Sequence, residues 1–177
     1  YPLRRQRQMC IRDRSIALSP WFNFYNHALS DLGNLALNGP TGWIYNIGLM
    51  VSGFLVASFS SLVSLRNPFW KYLIWTVPLA AAGVDLAMIG FFPEDAGRIH
   101  LIVSVAFFAL IDVTMFLYSY ASWPLGSPAI GAVALVFGMV SAAIWFVGWP
   151  WRGVAIQEAV TSAMMAIWLI MVCLRKV

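Results

Sequence analysis

Five stretches of this chain are apolar for about 20 residues each: roughly Trp43–Leu65, Phe69–Phe92, Ile99–Ala121, Ala129–Gly148 and Val154–Leu174. At 1.5 Å per residue, a helix of that length covers a hydrocarbon core of roughly 30 Å. Inside such a core every backbone N–H and C=O must be satisfied within its own segment. The stretches lack the alternating pattern of barrel strands, so they are helices. Composition agrees: 61% of the 177 residues are apolar, 10% are charged, and mean hydropathy is +0.78. A soluble domain carries about 25% charged residues, so this chain has too few to cover a water-facing surface. The fold class is an all-α polytopic transmembrane bundle. Nucleic-acid binding, disorder and a disulfide scaffold are excluded, since only Cys10 and Cys173 are present, at opposite ends.

The breaks between spans carry turn chemistry: Arg66-Asn67-Pro68, Phe92 through Gly97, Pro124 through Pro128, and Trp149 through Gly153. All are short, which predicts antiparallel neighbours. Pro78 predicts a kink within the second span. Trp43, Tyr45, Trp70, Tyr72, Phe91, Phe92, Trp123, Trp149 and Trp151 lie near span ends, as an interfacial anchoring belt would. Gly53, Ala57 and Ser61, and Ala155, Ala159 and Ala163, recur at helical spacing and would let helices approach closely.

Orientation follows from the basic residues. With simple alternation Arg66, Lys71, Arg175 and Lys176 share one side, and Arg98 and Arg152 the other. The richer side is expected to be cytoplasmic, as is the C-terminus, in a cell membrane. The segment before Trp43 would then lie outside, with Asn23, Asn26, His27, Ser30, Asp31 and Asn34, together with Glu94, Asp95, Arg98 and His100 and, further on, Arg152, Gln157 and Glu158. Both histidines and most acids fall on that side. Two acids lie deeper. Asp85 is about 10 Å below a helix end and Asp112 about 20 Å down. Each is expected to be protonated, hydrogen-bonded to a neighbouring helix, or wet. Functionally they read as a proton relay or substrate contact, structurally as inter-helix hydrogen bonds.

Asn26-His27-Ala28-Leu29-Ser30-Asp31-Leu32-Gly33-Asn34, followed by a Tyr45-Asn46-Ile47-Gly48-Leu49 span, resembles domain of unknown function 998, a family of small archaeal and bacterial membrane proteins. Phe91-Phe92-Pro93-Glu94 with His100 and Ser104 looks like that family's second motif. The resemblance covers residues 15–177 and implies six helices, one of them preceding the Ser-Asp-Leu-Gly segment, of which only Ser15 through Leu18 would remain. A missing span would leave an apolar groove along its neighbours. The family is also similar, distantly, to the Frag1/DRAM/Sfk1 group, linked to lipid remodelling. Residues 1–14 hold five of the eleven basic side chains, and Arg4 through Asp13 resembles the translation of a sequencing adapter. This segment is set apart as non-native; 15–177 is a single bundle.

The candidate ligand-binding residues are Asp31, Asn34, Asp85, Glu94, His100, Ser104 and Glu158, and the acid–base candidates are Asp31, His27 and His100. Asp31 could equally cap a short interfacial helix. It could instead meet His100 across the outer face. Ser104 shares a helix face with His100, four residues on. Arg98 could pair with Glu94 or Asp95, a contact worth little if exposed. Two histidines cannot build a three-histidine zinc site. The chain contains no His-Glu-x-x-His, no Gly-x-Ser-x-Gly and no phosphate-binding glycine loop with lysine. No cofactor and no metal are expected. The favoured function is non-catalytic binding of a lipid headgroup or small polar ligand in an outward-facing pocket. A lipid-modifying enzyme is one alternative, and a proton-coupled transporter using Asp85 and Asp112 is another. The expected partner is membrane lipid, not nucleic acid.

Overall fold

A computed structural model of the chain describes residue 16 and residues 19–175. Residues 1–14 with their adapter-like run, most of the Ser15–Leu18 remnant, and Lys176 lie outside the described residues. Five long helices carry the fold: α1 (Gly42–Arg66), α2 (Trp70–Phe91), α3 (Arg98–Ser122), α4 (Pro128–Phe146) and α5 (Ala155–Leu174). Each is long and apolar enough to cross a membrane. The helices match the expected spans to within two residues at either end. Their ends are chemical. Asn67 closes α1 through its backbone N–H on Val63 O, at 3.0 Å, and Pro68 forbids another turn. Phe92 precedes Pro93 and leaves helical geometry. Gly97, at φ 65°, makes the left-handed turn into α3, and Pro128 opens α4 as its first residue.

Each helix packs on its neighbour in sequence, α1 on α2 through to α4 on α5. In lipid no hydrophobic force drives helices together, so close packing and hydrogen bonds hold them. Gly53 and Ala57 of α1 lie against Gly83 and Ala87 of α2, backbone to backbone. Ser61, placed on the same stripe by its spacing, is exposed; its neighbour Ser60 is buried and donates to Thr76 O. Ser64 donates to Thr76 Oγ1 at 2.7 Å. Beside this seam, Trp75, Tyr118 and Trp168 form an edge-to-face trio with centroids 5.1–6.3 Å apart. Trp75 and Trp168 are core residues, whereas Trp43, Trp70 and Trp123 at the span ends are exposed. Large apolar side chains also cover the outside, with Phe54 at 65% and Val105 at 62% exposure. Water would not tolerate that surface; acyl chains do.

Residues 19–41 fold back over one end of the bundle as a cap. It contains a 3-10 turn, Leu29–Gly33, a single α turn, Leu35–Asn38, and a second 3-10 turn, Gly39–Thr41. Leu29 and Leu32 are buried against Ala155, Phe22, Tyr45 and Ala159. The Asn46 amide, 2% exposed in the first turns of α1, donates to Gly33 O at 2.8 Å. Asn46→Ala leaves that buried carbonyl unpaired and is expected to cost about 1–3 kcal/mol. A lower midpoint in unfolding by SDS would show it; an unchanged midpoint would mean that the carbonyl is satisfied otherwise. Gly153 ties the cap to α5: its N–H donates to Tyr25 O at 2.8 Å, and Ala155 N–H to His27 O at 3.0 Å. The approach is so close that a Cβ on Gly153 would lie 2.4 Å from His27 N and O. Beneath the cap, between α1 and α5, runs an apolar groove of about 390 Å³, lined by Tyr45, Leu49 and Val56 on one side and Ser162, Met165 and Leu169 on the other.

Candidate functional site

Three acids from distant parts of the sequence meet at the cap end. Asp31 lies in the 3-10 turn Leu29–Gly33, and its Oδ2 accepts from Ala28 N–H at 2.9 Å. That is the capping role open to it in the sequence. Its carboxyl lies beside that of Glu94, which follows Pro93 in the loop between α2 and α3 and has one buried carboxylate oxygen, Oε2, without a partner. Glu158, in the first turn of α5, accepts from Leu29 N–H through Oε2 at 2.5 Å, close enough to Glu94 for its charge to be felt. The Ser30 hydroxyl completes the group on Glu94. Burial first, then the hydrogen bond and negative charge of Asp31, then the charge of Glu158 push the Glu94 carboxyl up to about 8, with Ser30 alone pulling the other way. Burial beside two other acids thus favours a proton held within this group at neutral pH.

A small cavity of about 60 Å³ lies under this group, roofed by Leu29 and Ser30 and lined by Ser104, Phe107, Phe108, Glu158 and Ser162. Through Tyr45, Leu49, Leu86, Phe107 and Ser162 it adjoins the groove between α1 and α5. Ser104, Phe108 and Glu158 are shared with a further cavity beside α3 and α4.

The other candidates are placed as follows. Asn34 Oδ1 caps the turn beginning at Leu35 by accepting from Leu37 N–H at 3.1 Å. The His100 ring is buried, and its Nδ1 donates to Phe92 O at 2.8 Å, tying α3 to the end of α2. The contact found for Asp31 is Glu94, not the His100 anticipated from the sequence. His27 packs its ring on Trp21 and Phe22, and its Nδ1 accepts from Asn23 N–H at 3.1 Å. Asp95 accepts from Leu35 N–H at 3.2 Å, and Arg98 is exposed. Asp85 sits within α2 with one carboxylate oxygen buried and unpaired. Asp112 lies near Ser141 of α4, whose hydroxyl donates to Thr161 Oγ1 of α5 at 3.5 Å, and one Asp112 oxygen, Oδ1, is buried and unpaired. Among the described residues no group of three or more His, Cys, Asp or Glu side chains is arranged to hold a metal. Asn38 and Asn46 were not among the sequence's candidates. Asn38 Nδ2 donates to Asp31 O at 2.8 Å and holds the turn from below. An asparagine such as Asn46 inside an apolar span was a readable signal, because an amide in lipid needs a partner.

The helices and their apolar exterior define a multi-pass membrane protein with a folded polar cap. Residues 15–175 match the family described as protein of unknown function, DUF998, and the chain belongs to that family. No curated protein and no solved structure matches it.

Proposed function

We propose that the protein binds the polar head of a membrane lipid, or a small polar molecule, at the Asp31–Glu94–Glu158 group, without chemistry, on the outer side of a cell membrane with the C-terminus inside. The observation that carries this reading is the cavity beneath the cap. Its polar lining of Ser30, Ser104 and Glu158 adjoins two larger apolar cavities, an arrangement suited to an amphiphile with its head at the cap and its tail among the helices. Neither histidine ring lies hydrogen-bonded to one of the three acids, so no acid–base relay is favoured. Native mass spectrometry of the detergent-extracted chain tests the reading. A retained lipid adduct is expected, reduced about tenfold by Asp31→Asn or Glu158→Gln, as loss of a charged hydrogen bond implies. Absence of any adduct, or one indifferent to both substitutions, overturns it.

A further inference from the structure

A cavity of about 370 Å³ lies along α3 and α4 and is bounded at the cap end by α5. Val105 and Phe108 of α3 and Trp145 and Phe146 of α4 make its walls, with Asp112 deep inside and Glu158 at the cap end. Val105 and Phe146 are among the most exposed side chains of the molecule, so the cavity opens sideways toward the acyl chains. From Ser104 to Asp112 it follows α3 for eight residues, about 12 Å.

In lipid the apolar walls give no preference for one amphiphile over another, because the surroundings are as apolar as the cavity. Charge decides. The two ionisable side chains lining the cavity are both acids, while the basic residues at this end, Arg98 and Arg152, are exposed and do not line it. A carboxylate or phosphate head would face like charge, whereas an ammonium head would find acceptor oxygens in a medium of low dielectric. Glu158, in the first turn of α5, lies at the cap end of the cavity; Asp112, deeper along α3, offers a further carboxyl oxygen as acceptor.

We propose that this cavity is a lateral site for a single-chain amphiphile with a protonated amine head, the ammonium on Glu158 and the chain along α3 toward Asp112. This rests on the reading that the ligand's polar head lies at the carboxyl group beneath the cap, and it names the chemistry of that head.

The test is thermal melting of the whole chain in a non-ionic detergent at pH 7, with dodecylamine, dodecan-1-ol and dodecanoic acid compared at equal concentration. Dodecylamine is expected to raise the melting temperature by about 5 °C near saturation, with little shift from the alcohol and none from the acid. Ala109→Trp, at an exposed position lining the cavity, fills it; Glu158→Gln removes the charge. Either variant should abolish the amine's shift. Equal shifts from all three compounds, or an amine shift that survives both substitutions, overturn the proposal. If the chain retains a lipid that Asp31→Asn releases yet shows no preference for the amine, the headgroup reading stands and the amine assignment falls. If no lipid is retained in any form, the reading itself falls and takes the assignment with it.

Discussion

Gly83→Leu is expected to part α1 from α2 and to leave almost no monodisperse protein after detergent extraction. A Cβ at Gly83 would lie 2.5 Å from Ala57 N and 2.8 Å from Gly53 O, and one at Gly53 would lie 2.5 Å from Ala87 N and Gly83 O. All of these are backbone atoms, which cannot swing aside as a side-chain tip can. The helices would have to separate along their length, breaking the Ser60 and Ser64 hydrogen bonds to Thr76 further down the same seam. In water a hydrophobic core would partly offset such a shift; in lipid the loss of van der Waals contact has no such compensation. The neighbouring substitution Val84→Leu, on the exposed face of α2, is the control and should leave the yield unchanged. Size-exclusion profiles of the two variants measure the difference. A normal profile for Gly83→Leu would refute the close seam.

The second large effect is on pH dependence. Glu94 has its folded-state carboxyl held at about 8 against an ordinary value of 4.5, so the folded chain binds a proton there that the unfolded chain releases. Between those values folding takes up a proton, and stability falls as pH rises. The contribution is complete below about 4.5, declines as pH climbs toward 8, and is gone above it. Glu94→Gln keeps a hydrogen-bond donor for Asp31 but cannot ionise. Melting curves from pH 5 to 9 should therefore slope downward for the natural chain and flatten for Glu94→Gln, the two diverging most at the alkaline end. Groups remote from the cap titrate alike in both proteins, so the difference between the curves reports the Asp31–Glu94–Glu158 group. Parallel curves would mean that Asp31 and Glu158 do not press on it.

The outer residues of the bundle were readable in one dimension because each answers a local question. Pro68, Pro93 and Pro128 stop or start helices by stereochemistry, whatever surrounds them. Gly53 and Ala57 announced a close approach through their spacing, but Ser61 on the same stripe turned outward. A regular helix fixes which residues share a face and not how far the contact extends. Trp75 and Trp168 share their residue type with the tryptophans at the span ends, yet they fill the core between α2, α3 and α5. Only their neighbours distinguish the two roles.

Length and hydropathy along the chain were enough to establish five spans, their ends, their antiparallel order and the gathering of acids toward one end, because lipid imposes its requirement on each segment separately. The pairing of Asp31 with Glu94, the reach of Glu158 to Leu29, and the cavities on either side of α5 came from the tertiary structure alone. Asp31 and Glu158 are separated by more than half the chain. That they come to the same end of the bundle depends on how the cap crosses it, which is set by Gly33 against Asn46 and by Gly153 against His27, contacts that no local pattern encodes.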